Sequence, residues 1–199
     1  VDSVMNLSQI FQELHQPVEA IPFLKRLLEF NPDNREASKH LETLAPIQTA
    51  ANKAAELTKK GRHAVTCKEF NDAIRYFVLA TQAYPGCVPA WNDLGVTLYE
   101  NNQAEAALEA FAHALKLNPA FADSALNMAS LYANANCHAK GIPPLKKALS
   151  EDPENSEIQR ALHNLLEDIK TSNLIEHHIF EGRKYMRNGK FLDAVKEYR

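Results

Sequence analysis

Residues 88–121 read VPAWNDLGVTLYENNQAEAALEAFAHALKLNPAF. Leu108, Phe111, Ala112 and Leu115 recur at the i, i+3, i+4, i+7 spacing that puts apolar side chains on one face of a helix. Pro119 has no N–H to continue that helix and marks its end. Gly95 and Ala107 are small residues, as required where two antiparallel helices bring their backbones close. The stretch predicts two helices in a hairpin, with Trp91, Leu94 and Phe111 filling the space between one hairpin and the next.

The same offsets recur at a spacing of 34 residues. Counting back from Trp91 they meet Leu57, Gly61, Ala73, Phe77, Ala80 and Pro85. Counting forward they meet Ala125, Met128-Ala129, Gly141, Leu145, Ala148 and Pro153. Near the start of the chain the series is Val4, Leu7-Ser8, Ala20, Leu24, Leu27 and Pro32, and near its end His178, Gly182, Tyr185, Ala194 and Tyr198. Gly61, Gly95 and Gly182 are expected to sit against Ala73, Ala107 and Ala194. No segment alternates apolar and polar residues between turn signals, so no strand is predicted.

These residues resemble the tetratricopeptide repeat. The resemblance covers hairpins 1–34, 54–87, 88–121 and 122–155 and a truncated one at 175–199. It implies an all-α, right-handed α-solenoid of antiparallel hairpins. Unit 122–155 departs most from the pattern, with Ala125 and Gly141 where Trp and Ala are usual.

Two segments of 19 residues, 35–53 and 156–174, fall outside the repeat, and each follows a terminal proline. A shift of 121 residues lays 1–78 on 122–199. It pairs Asp2-Ser3 with Asp123-Ser124, Ile21-Pro22 with Ile142-Pro143, and Asn52 with Asn173. It also pairs Gly61-Arg62 with Gly182-Arg183. Several of these are not signature positions, so a larger block is duplicated, with an extra helical segment in each copy. Pro46 is expected to end or restart the helix in the first copy. In the second, Ser172 caps a restart, or one helix runs through 156–188.

The 199 residues are 45% hydrophobic and 24% charged, which excludes wholesale disorder. A net charge of −3 argues against nucleic acid as the partner. No apolar run is long enough to insert into a membrane. Three cysteines without a pairing pattern suit a reducing compartment, hence a cytoplasmic location. With neither an initiator methionine nor a signal peptide visible, the chain reads as a piece of a longer protein.

No cofactor, metal or catalytic site emerges. His177 and His178 are neighbours on a helix and point about 100° apart, so they do not converge on an ion as i, i+4 histidines do. Cys137-His138 reads as a turn pair without further ligands. Cys67 and Cys87 show no base to activate them. The carboxylates of Glu100, Glu105 and Glu109 read as solvated helix faces. The fragment is therefore not read as an enzyme.

Repeat arrays recognise partners on an extended concave surface. The resemblance assigns that surface to the first helix of each hairpin. It would present Lys59, Arg62, Asn92, Asp93, Val96, Tyr99, Asn127, Ser130, Asn134 and Arg183, with Thr58, Val65, Leu126, Ile179 and Arg187 beside them. Asparagines offer a donor and an acceptor to an extended peptide backbone. Some family members clamp a chaperone's terminal carboxylate with basic residues. Here Asp93 and Asp123 stand at matching sites, against such a clamp. The expectation is a scaffold or adaptor binding a peptide or partner helix. The alternatives are the recognition arm of a larger enzyme such as a glycosyltransferase, to which Asn6 and Asn127 point, and self-association.

Overall fold

A computed structural model describes residues 17–188, 190, 193, 196 and 197. Val4, Asn6 and Leu7-Ser8 at one end, and Ala194 and Tyr198 at the other, lie outside the described residues. The chain divides into two compact units, Val1–Ser124 and Ala125–Arg199. The described residues are helical, with no strand among them.

In the first unit a 3₁₀ turn, Pro17–Ala20, leads into α1 (Ile21–Phe30), followed by α2 (Arg35–Thr66) and α3 (Phe70–Ala83). Helices α4 (Val88–Glu100) and α5 (Ala104–Leu117) complete it. Helix α6 (Ala122–Asn134) carries the chain across the division into the second unit, with α7 (His138–Glu151) and α8 (Ser156–Arg187).

The 34-residue period is written into the turns. Lys68, Asn102 and Asn136 take left-handed backbone angles, with φ of 61°, 60° and 56°. In each turn the next amide reaches back to a carbonyl of the preceding helix. Glu69 N donates to Ala64 O at 2.9 Å, Gln103 N to Leu98 O at 2.9 Å, and Cys137 N to Tyr132 O at 2.8 Å. This closure satisfies carbonyls that the helix end would leave bare. Asparagine tolerates such angles better than most residues; lysine has only the geometry of the turn to hold it there.

Inside each hairpin the atoms nearest the first-helix glycine are those of a phenylalanine ring. A Cβ built on Gly61 would lie 2.6 Å from the Phe77 ring, and one on Gly95 would lie 2.6 Å from the Phe111 ring. The two phenylalanines are 1% and 2% exposed. Each ring lies on the glycine of its own hairpin, and Ala73 and Ala107, expected beside those glycines, are fully buried. Helical spacing identifies the inward face but not which inward residue reaches across.

Pro46 corrects a second expectation: α2 runs unbroken through it. Proline inside a helix removes one backbone bond and crowds the preceding turn, at a cost of about 3 kcal/mol. Pro46 and its neighbours Glu42 and Ala45 are exposed, so water can serve the freed carbonyl. Leu44, 2% exposed, and Ile47 join Ile21 and Leu24 of α1 in one core. Apolar burial on both sides of the proline thus holds the helix continuous. Ser172 likewise caps nothing, because it lies within α8.

The 121-residue shift maps α2 onto α8 along its whole length. Both helices have 32 residues. Asn34 Oδ1 caps the first by accepting from Ala37 N at 2.9 Å, and Asn155 Oδ1 caps the second by accepting from Ile158 N at 3.1 Å. Ala37, Leu44 and Gly61 are buried in α2, and Ile158, Leu165 and Gly182 in α8. In the second unit a Cβ on Gly141 would sit 3.2 Å from the Ala129 Cα and 3.0 Å from Leu165 Cδ1. Glycine is thus the residue that fits there.

Candidate functional site

In the first unit the C-terminal half of α2 packs against α4, and an ion pair joins them. Arg62 Nε stands 2.6 Å from Asp93 Oδ2, with the guanidinium side chain 61% exposed and the carboxylate 19% exposed. Lys59 is exposed one turn before Arg62. Val96 is half-buried three residues beyond Asp93, and Tyr99 is 42% exposed a further three on. This spacing puts Asp93, Val96 and Tyr99 along one side of α4. The face therefore combines a cation, a neutralised ion pair, an aliphatic patch and an aromatic ring.

Not every residue named from sequence is open to a partner. Asn92 is 8% exposed, and its Oδ1 accepts from Ser124 Oγ at 2.9 Å. Thr58 is 6% exposed and donates its hydroxyl to Ala54 O. These side chains hold the helices from within. A polar residue at helical spacing looks the same in sequence whether it faces water or a neighbouring serine.

The remaining residues belong to the second unit. Asn127 is half-buried on α6, while Ser130 and Asn134 are exposed on it. Arg183 and Arg187 are exposed on α8, with Ile179 half-buried.

The reading of Cys67 as lacking a nearby base needs correction. Its Sγ lies 3.8 Å from His63 Nδ1, one turn earlier on α2. No third group orients the imidazole in the contacts seen. His178 Nδ1 is 2.7 Å from Glu197 Oε2, and the His177 and His178 rings meet edge-on, 5.9 Å between centroids. Among the described residues no three His, Cys, Asp or Glu side chains gather as metal ligands. No described helix is long and apolar enough to cross a membrane.

Sequence reasoning missed one feature outright, a cleft of about 960 Å³ in the first unit. Its walls are the first half of α2, the turn after α3, the start of α4 and the end of α5. Trp91, expected to fill space between hairpins, stands half-buried in the cleft wall. Its Nε1 donates to Pro85 O at 2.9 Å, and its ring stacks on His113 at 4.5 Å between centroids. Burial pushes the nearby Tyr84 phenol above its ordinary pKa, with smaller contributions in the same direction from Cys87 and Glu19.

Comparison with known proteins agrees with this architecture. Residues 88–121 match the tetratricopeptide repeat model. A peroxisomal targeting signal receptor of Kluyveromyces lactis is 33% identical over 109 residues, 53% of this chain and 19% of its own length. Sperm-associated antigen 1 of Mus musculus is 24% identical over 125 residues, 63% of this chain and 14% of its own length. The chain thus spans less than a fifth of these curated relatives.

Among solved structures, the first TPR of Spaghetti (RPAP3) bound to the HSP90 peptide SRMEEVD superposes with a TM-score of 0.54 at 15% identity. The match covers 60% of this chain and 95% of that one. The TPR2B domain of yeast Sti1, in a complex with pHsp70, gives 0.52 at 16% identity over 58% and 98%. At that identity the likeness is one of fold. The hairpin at residues 88–121 is thus a tetratricopeptide repeat by its family match, and the turns before and after it repeat the same geometry at a spacing of 34 residues.

Proposed function

We propose that the chain is a protein-interaction module that binds an extended peptide segment across α2 and α4. The observation that carries this reading is the Arg62–Asp93 pair, which ties the first helices of two successive hairpins into one face. Lys59 supplies a cation there, Val96 an apolar patch and Tyr99 an exposed ring. Aromatic and cationic side chains of this kind dominate binding energy where they are desolvated by a partner. The names of the similar proteins support the reading, since one is a receptor for a targeting signal and another was solved with a bound peptide.

The peptide is not expected to be an acidic chaperone tail. Asp93 already neutralises Arg62, so a second carboxylate arriving there would meet one net charge fewer. Anisotropy with the labelled peptide SRMEEVD should show no saturable binding, whereas a random-sequence peptide array should yield binders. Arg62→Glu with Tyr99→Ala should weaken those binders at least tenfold with helicity retained. Undiminished binding by the double variant would end the proposal. No observation favours the glycosyltransferase alternative, because Asn6 lies outside the described residues and the relatives reported are named as a receptor and an antigen.

A further inference from the structure

The Trp91 cleft exists because α2 is longer than its hairpin. Its second half pairs with α3, while the first half projects past the hairpin and stands off from the ends of α3 and α5. The gap is faced by Leu44 and Ile47 on one side and by Tyr84, Trp91 and Leu117 on the other. Its volume, about 960 Å³, and its mostly apolar lining are those of a binding pocket. The wall is preorganised, because the indole is held by Pro85 and by the His113 ring. His113 and Lys116 put basic groups on the α5 edge, and Glu19 places an acid near Tyr84 at the other edge.

The same unit displays a side chain suited to such a cleft. Phe30, the last residue of α1, is 80% exposed, more than any other large apolar side chain described. The corresponding positions of the next two hairpins hold Ala83 and Leu117, both half-buried in the cleft wall. Glu29 and Asp33 flank Phe30 and are exposed, as are Arg26 and Arg35 around it. Glu29 and Asp33 carry the charge opposite to Lys116 on the α5 edge, and Arg26 and Arg35 the charge opposite to Glu19. Within one molecule the two features are apart: ten residues of α1, about 15 Å of helix, separate Phe30 from the Pro17–Ala20 turn at the cleft's lip.

We propose that Phe30 of one molecule inserts into the Trp91 cleft of a second copy. The contact joins different surfaces on the two partners, so it is head-to-tail and extends beyond a dimer as concentration rises. It uses neither the Lys59, Arg62 and Tyr99 face nor any peptide, so it stands or falls separately from the proposed function.

Sedimentation of the full chain over a concentration series tests it. Trp91, the single tryptophan, serves as an internal reporter. The average mass should climb past that of a dimer, with Trp91 emission moving to shorter wavelength as Phe30 covers the ring. Phe30→Ala, which lacks the insert, and Ala50→Arg, which obstructs the cleft, should each remain monomeric. Mixed one to one they should form dimers and nothing larger, because only one intact junction is left. Lys116→Glu, an exposed change that leaves the core untouched, should weaken assembly of the otherwise native chain, and Glu29→Lys in the same chain should restore it. A wild-type chain that stays monomeric with constant Trp91 emission would overturn the proposal. So would assembly that Phe30→Ala leaves unchanged.

Discussion

Helices α2 and α8 share a length of 32 residues, an asparagine cap and three matching buried positions, Ala37/Ile158, Leu44/Leu165 and Gly61/Gly182, yet they differ at others. Where α2 carries Lys53, Ala54 and Lys59, α8 carries Leu174, Ile175 and Phe180. Ala54 is fully buried against Ala80 and Ala90, while Leu174, Ile175 and Phe180 are 56%, 54% and 65% exposed. Where α2 has Pro46, α8 has Glu167, paired with Lys170 at 2.6 Å. Caps and inward leucines are kept, while the inward position of Ala54 has diverged along with the outward ones. The duplicated helix thus keeps its cap and inward leucines, and the sequence between them differs.

The comparison can be broken most sharply at its shared core. Leu44→Ala and Leu165→Ala each leave a cavity in a fully packed site and should cost about 2–5 kcal/mol in urea unfolding. A neutral Leu165→Ala would separate the two helices as packing elements. The proline difference comes next. Glu167→Pro in α8 should cost about 3 kcal/mol, because it removes a backbone hydrogen bond inside the helix and the Glu167–Lys170 ion pair with it. Pro46→Ala should stabilise the first unit by about 1–3 kcal/mol, and a loss of stability there would mean the ring itself is a packing element of the cleft.

The caps should be smaller and equal. Asn34→Ala and Asn155→Ala are each expected to cost about 1 kcal/mol, readable as a fall in thermal midpoint. The smallest effect is one that only the first unit has. Burial raises the Tyr84 pKa in the folded state, so the phenol's contribution to stability is complete below its unfolded pKa of about 10 and is lost as pH rises through the folded value. Tyr84→Phe should lessen the alkaline loss of stability; an unaltered pH profile would remove that assignment.

Much of the fold was legible because the repeat constrains the backbone. Prolines end the second helices, glycines mark close approach, and the 121-residue overlay pointed to two matching helical segments. The site was less legible. Lys59, Arg62 and Tyr99 are exposed as their positions suggested, but the tie between Arg62 and Asp93 and the burial of Asn92 against Ser124 depend on residues 31 and 32 positions away. No local pattern carries that information.

The sequence by itself determined the 34-residue period of the turns and the matching pair of long helices, because helix periodicity and turn chemistry are local properties of the chain. Tertiary structure decided that Pro46 lies inside a helix, that Phe77 and Phe111 lie on their own hairpin's glycine, and that Trp91 borders a cleft. Each of those depends on what packs across from a residue, and in a helical array that is set by the distance between two helices rather than by the pattern along either one.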